Sequence, residues 1–147
     1  MDEYPHVKLR IGGASEISKE LEMMGERVKR WNEKDWKKRP GLYSKIDIQL
    51  MPIPNDPYYR VKSDKKWIEA SLLKIPTVMS YTEEMASQIK QEETGVLCRS
   101  KEEWKQKLSK LIQDAEYRKQ IGENAHDAVL RERTTASLEE DVQQIFQ

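Results

Sequence analysis

The 147 residues predict an α/β protein: a three-layer α/β/α sandwich on a parallel sheet of about five strands, with extra helices at the C-terminal end. Three observations carry this expectation. Short apolar runs alternate with segments whose apolar residues recur at three- and four-residue steps. Glycine and proline stand at the junctions between the two kinds of segment. The longest helical patterns come last, after the final strand candidate.

The first strand is expected at Val7 to Ile11, where Val7, Leu9 and Ile11 alternate with Lys8 and Arg10. Gly12-Gly13 breaks it, and Ile17, Leu21 and Met24 then follow one helical face, with Ser15 as its N-cap and Gly25 as its stop. Glu26 to Trp31 is a short second strand, and the polar stretch from Asn32 closes at a Pro40-Gly41 turn. Ile46 to Ile53 is the third strand, and Pro52, Pro54 and Pro57 force an extended loop after it. A helix is expected from about Ser63 to Lys74, burying Ile68, Leu72 and Ile75. Pro76 to Ser80 reads as a buried strand whose proline is harmless at the first position. A helix over Glu83 to Gln91 and a strand over Gly95 to Cys98 follow. Three helices close the chain, over Glu102 to Gln113, Glu116 to Arg131 and Ser137 to Phe146. No repeat, low-complexity tract or long linker divides it, so residues 1–147 are expected to form one domain.

Composition excludes several functions. Lys plus Arg and Asp plus Glu both number 26, so global charge does not favour a general polyanion binder. Trp31 and Trp36 among lysines have the composition of a base-stacking platform, but a Trp in such a loop packs on its own domain, and nucleic acid is not expected. No apolar run approaches the roughly 20 residues of a membrane span, and the N-terminus lacks the order of a signal peptide. The expected compartment is the cytosol. Cys98 is the single cysteine, which rules out an intrachain disulfide and reads as a small buried hydrophobe. His6 and His126 are expected at the surface, and Glu83-Glu84 and Glu92-Glu93 as solvated helix faces. There is no G-x-S-x-G elbow and no Walker lysine loop.

Chemistry concentrates in the segment from Lys62 to Cys98. In open α/β sheets ligands bind beyond the carboxyl ends of the strands. Those ends lead into Gly12-Gly13, Trp31-Asn32, the Pro54 to Arg60 loop and Ser80-Tyr81. The helix after the third strand opens with Lys62, Ser63, Asp64, Lys65 and Lys66. Free amides at a helix start favour phosphate, and Lys62 and Ser63 could add a charge and a hydroxyl. Glu69 lies seven residues after Lys62, about two turns, with Lys66 between them on nearly the same face. A carboxylate there suits a ribose, because it can accept from both vicinal hydroxyls. The same residues also fit a solvated helix with Ser63 as a cap and Glu69 paired to Lys65 or Lys66. Gly12-Gly13 permits close backbone approach to a phosphate or sugar, or is only the turn into the first helix. Arg30, Lys37, Lys38, Arg39, Arg60 and Lys62 make the middle of the chain the cationic part, which favours an anionic ligand.

Five pieces in order, VKLRIGG, YSKIDIQLMPI, KSDKKWIEASLLKIPTVMS, EETGVLC and AEYRKQIGENAHDAV, resemble the C-terminal, donor-binding domain of GT-B glycosyltransferases. The resemblance covers nearly the whole chain and implies a Rossmann-like domain that binds a nucleotide-sugar. It implies that Glu69 holds the donor ribose, that Lys62 and Ser63 face the diphosphate, and that Gly12 and Gly13 lie near the donor. Arg30 and Trp31 fall where the base lodges. The donor nucleotide-diphosphate sugar would be a substrate, and no cofactor or metal is implied. The chain departs from the pattern at Val61, which stands eight positions before Glu69, where many retaining members carry a second glutamate that meets the sugar. Lys34 and Lys37 are the candidates for the basic residue that follows the second strand in many members. Such an enzyme needs an N-terminal Rossmann domain for its acceptor, so this chain is expected to hold half of a site, with the other half in cis or in trans. The alternative is a noncatalytic nucleotide-sugar-binding or protein-interaction module.

Overall fold

A computed structural model describes residues 3–12, 17–31, 39–54 and 64–134. The chain divides into two compact units, Met1–Gly41 and Leu42–Gln147. In the first, β1 (Leu9–Gly12) pairs in parallel with β2 (Val28–Trp31), Leu9 opposite Val28 and Gly12 opposite Trp31. Between them lie a short helix, α1 (Lys19–Glu22), and a single 3-10 turn, Gly25–Arg27. The helix ends at Glu22, before the stop expected at Gly25; Gly25 has φ +58°, a left-handed conformation open to glycine, and opens the 3-10 turn. The Arg27 guanidinium donates to the carbonyls of Val7 (3.2 Å) and Tyr4 (2.8 Å), tying the start of β2 to the entry of β1. The predicted cap Ser15 lies outside the described residues.

Helix α2 (Arg39–Tyr43) spans the boundary between the units. The second unit, which contains most of the described core, continues with β3 (Gln49–Met51), α3 (Lys65–Ser71), β4 (Thr77–Ser80), α4 (Glu83–Gln88), β5 (Val96–Cys98), α5 (Lys101–Gln113) and α6 (Ala115–Glu132). The expected turn at Pro40-Gly41 is therefore helical instead. Pro40 falls in the first turn of α2, where its missing N–H removes no helical hydrogen bond. Strands β3, β4 and β5 form a parallel sheet in that order, Met51 opposite Met79 and Ser80 opposite Cys98. Among the described residues the five predicted strands are thus present, as one two-stranded and one three-stranded parallel sheet.

Strand periodicity places successive side chains on opposite faces, and both faces of the three-stranded sheet are covered. Met51, Met79 and Leu97 meet Trp67 of α3, Met85 and Ile89 from α4 and its end, and Ala125 and Val129 of α6. Val78, Val96 and Cys98 meet Leu111 of α5 and Ile121 of α6. Cys98 is a buried core residue, and desolvation pushes its thiol pKa up.

Helix α3 is shorter than expected and buries a different stripe. Trp67, Ala70 and Ser71 are buried, whereas Leu72 is exposed in the turn that ends the helix. Ile75 is buried as predicted. Its N–H reaches back to the Ala70 carbonyl at 3.0 Å while Lys74 adopts φ +58°, so the helix closes in a left-handed turn although no glycine or asparagine marks it. Trp67 Nε1 donates to the Thr94 carbonyl at 2.8 Å, which satisfies the only polar atom of this buried side chain.

The C-terminal helix expected over Ser137 to Phe146 lies outside the described residues. Among those described, no helix is long and apolar enough to cross a membrane.

Candidate functional site

The side chain of interest in the second unit is Glu69. Its backbone position is set by packing, because Trp67 and Ala70 of the same helix are buried and Trp67 is anchored to Thr94. Glu69 itself is half-buried, on a face of α3 that does not enter the core. One partner is Tyr43 of α2, whose hydroxyl donates to Glu69 Oε2 at 3.2 Å. Sequence spacing suggested Lys65 or Lys66 as the partner. A tyrosine 26 positions earlier could not be found from helical spacing, since the contact depends on tertiary packing.

The start of α3 is less simple than a bare phosphate site. Asp64, not Ser63, occupies the N-cap position, and its side chain makes no capping bond to the helix. Asp64 pairs instead with Arg133 beyond the end of α6, Oδ2 to guanidinium nitrogen at 3.3 Å. That pairing offsets a negative charge at the helix start which would otherwise oppose a phosphate. Lys66 is exposed on α3, three residues before Glu69. Lys62 and Ser63 lie outside the described residues, as do Gly13, Val61, Lys34 and Lys37.

Close to α3, the carboxyl ends of the three strands are tied together. The Ile53 N–H after β3 donates to Ser80 Oγ at the end of β4 at 2.9 Å. The Tyr81 N–H donates to the Cys98 carbonyl at 2.8 Å, carrying the ladder one residue past β4. The Arg99 guanidinium lies 3.2 Å from the centre of the Tyr81 ring. These contacts leave little freedom at the sheet end where ligands of open α/β sheets bind.

In the first unit, the register sets Gly12 beside Trp31 at the carboxyl ends of β1 and β2. Among the described residues, a Cβ on Gly12 would meet nothing within 4 Å. Trp31 is half-buried, with the Arg10 guanidinium 5.8 Å from its ring centre. Arg30 is exposed on the opposite side of β2. The predicted site residues thus fall into two groups, Gly12, Arg30 and Trp31 in the first unit and Lys66 and Glu69 in the second.

A cleft of about 530 Å³ beside β5, lined in part by Tyr81, Ile89, Lys90, Arg99 and Lys107, contains none of the predicted residues. Its floor is closed. The Gln91 side chain accepts from Leu97 N–H at 2.7 Å and donates to Leu97 O at 3.3 Å, and Lys107 Nζ donates to the same carbonyl at 2.9 Å. Side chains therefore occupy the outer edge of β5 at Leu97, where a further strand would pair.

Two other expectations are corrected. His126 is not a surface residue: it is half-buried, with Nδ1 3.1 Å from the Ser71 carbonyl, because α6 packs it against the end of α3. Glu92 is not part of a solvated helix face. It sits in the turn before β5 at φ +57° and accepts from the Tyr117 hydroxyl (2.8 Å) and Lys110 Nζ (3.3 Å). The Tyr117 bond, aided by Lys110, holds the Glu92 carboxyl below its ordinary range, while burial and Glu92 push the Tyr117 phenol up.

The second unit is thus a Rossmann-like arrangement, a parallel sheet covered by helices on both faces. Residues 66–128, from α3 through most of α6, match the family model of glycosyl transferases group 1. Three solved structures illustrate the likeness. Sucrose-phosphate synthase from Thermosynechococcus elongatus superposes with a TM-score of 0.74 at 18% identity, over 95% of this chain and 37% of that one. HepE from Anabaena, in complex with UDP, gives 0.69 at 19% identity over 96% and 41% of the two chains. The C-terminal domain of a glycosyl transferase group 1 family protein (LpcC) from Francisella tularensis gives 0.63 at 19% identity over 79% and 58%. The chain therefore spans between about a third and three fifths of the lengths of these structures. No curated protein matches it by sequence.

Proposed function

We propose that the chain is the donor-binding half of a glycosyltransferase and takes a nucleoside-diphosphate sugar. The observation that carries this reading is Glu69, a half-buried carboxylate held by Tyr43 on the helix that follows β3, within the stretch matching the glycosyl transferases group 1 model. UDP in the structure of HepE is in keeping with such a ligand. In this reading the whole of residues 1–147 belongs to one donor domain, with Gly12, Gly13, Arg30 and Trp31 on the base and sugar and Lys62, Ser63 and Lys66 toward the diphosphate.

The chemistry would be transfer of a glycosyl group to an acceptor held by an N-terminal Rossmann domain, in cis or in trans. The main task of this half is electrostatic. Amides at the start of α3 and the Lys62 ammonium would stabilise charge on the leaving diphosphate, where it grows in the transition state. Glu69 would orient the ribose and leave the reacting carbon to other groups. Val61, in the position where a second glutamate meets the sugar in many retaining enzymes, leaves that contact to a different residue. The chain alone would bind donor without turnover.

Glu69→Ala tests the assignment. Nucleoside-diphosphate affinity, measured by isothermal titration calorimetry, is expected to fall by more than tenfold, since a hydrogen bond to a charged group contributes about 1.5–3 kcal/mol. Unchanged affinity would remove Glu69 from the site.

A further inference from the structure

We propose that the fold holds one buried water molecule between α3 and the amino ends of β3 and β4, on Gln49, Ser71 and Thr77. Among the described residues, four buried side-chain oxygens have no hydrogen-bond partner: Gln49 Oε1, Asp64 Oδ2, Ser71 Oγ and Thr77 Oγ1. Asp64 is ion-paired with Arg133. The other three belong to residues more than nine-tenths buried, with exposures of 8%, 0% and 1% for Gln49, Ser71 and Thr77. The Ser71 carbonyl is well used, accepting from the Lys74 N–H at 2.9 Å and lying 3.1 Å from His126 Nδ1. Its hydroxyl is not, and does not even bond back into the helix as a helical serine can.

Register brings the three together. Gln49 and Thr77 are direct neighbours across the parallel β3–β4 pair, so their side chains leave the same face about 4.8 Å apart. That face is the one α3 covers, because Met51 and Met79, two residues further along each strand, share a core cluster with Trp67. Ser71 follows Trp67 by four residues, one turn on along the buried face of α3. A helix joining two parallel strands runs back against them, so the step from Trp67 to Ser71 leads toward the strand starts. The steps match in length, about 6 Å for four helical residues and about 6–7 Å for two strand residues. Ser71 therefore stands over Gln49 and Thr77 as Trp67 stands over Met51 and Met79. The chemistry of the set suits water. Each hydroxyl can give or take a hydrogen bond and the carboxamide oxygen accepts, so one water satisfies all three, with the usual number of bonds for a buried water. Buried polar groups are nearly always bonded. The place lies at the opposite end of the strands from their carboxyl ends, where a donor would bind, so water binding here is independent of the glycosyltransferase reading.

Oxygen-17 relaxation dispersion of the water signal tests this on the full chain. It counts water molecules that stay on a protein longer than it tumbles, and exchange of hydroxyl protons does not enter the count. The parent is compared with the double variant Ser71→Ala/Thr77→Val, and thermal melting is measured for the double and for each single variant. The expected result is one long-lived water fewer in the double variant. Each single variant should melt about 2–6 °C below the parent, since each loses a hydrogen bond of ordinary size. The two losses should not add, because both hydroxyls bond the same molecule. Equal dispersion in the parent and the double variant would overturn the proposal, and so would fully additive losses. A Ser71→Ala or Thr77→Val chain at least as stable as the parent would also overturn it, because removing an orphaned buried hydroxyl relieves the fold whereas removing a bonded one weakens it. If the double variant does not fold, the single variants decide by that sign.

Discussion

Glu69 stood out in the sequence because a carboxylate two turns into a cationic helix suits a ribose as well as a lysine partner, and in the structure it is half-buried and bonded to Tyr43. Its partner Tyr43 was not legible, because contacts between elements follow from packing and leave no periodic trace. His126 was misjudged for the same reason, being half-buried against the end of α3, whereas Glu92 is exposed as expected but lies in a turn and not on a helix face. Glu92 yields a pH prediction whose sign follows from its partners. Its folded-state pKa is lowered, first by the Tyr117 hydroxyl, so its contribution is complete above the unfolded value of about 4.3. The contribution is lost as pH falls through the lower folded-state value. Urea midpoints of the parent chain and Glu92→Gln should therefore differ at pH 7 and converge as the pH falls below the ordinary carboxylate range. A gap independent of pH would contradict the assignment. The gap itself should be modest, because the Lys110–Glu92 ion pair is largely exposed.

At the level of elements, order and type were legible and boundaries less so. Amphipathic spacing located α5 and α6 to within a residue of their ends, because long periodic segments average over local exceptions. Their N-caps confirm the starts: Ser100 Oγ accepts from the Glu103 N–H at 3.2 Å and Asp114 Oδ1 from the Tyr117 N–H at 2.9 Å. Helix α3 was harder to delimit. Its closing turn uses Lys74 in a left-handed conformation, and the buried stripe follows Trp67 and Ser71 because α6 and the sheet, not solvent, define its inner face. The fit between α6 and this turn is close enough to test. A Cβ on Gly122 would overlap the Lys74 carbonyl oxygen, a backbone atom with no flexible side chain to yield. Gly122→Ala should destabilise the fold by about 1–3 kcal/mol, the usual cost of overpacking, despite alanine's better helix propensity. Chemical denaturation would show it. A neutral or stabilising result would mean that α6 does not pack on the α3 turn as described.

For the whole molecule, the alternation of strand and helix was enough to predict a parallel sheet, since parallel strands need crossovers and helices supply them. The buried runs at Thr77–Ser80 and Val96–Cys98 are covered on both faces, as such a sheet requires. Zero net charge argues against a diffuse polyanion surface and leaves recognition of an anion to a local site. The central claim is that this chain binds a nucleoside diphosphate through Glu69. Ligand-detected NMR of nucleotides and nucleotide-sugars against the chain addresses it directly. We expect saturation transfer to at least one nucleoside diphosphate, lost or sharply reduced in Glu69→Ala. No transfer to any nucleotide at millimolar concentration would contradict the claim and leave a protein-interaction module as the better account.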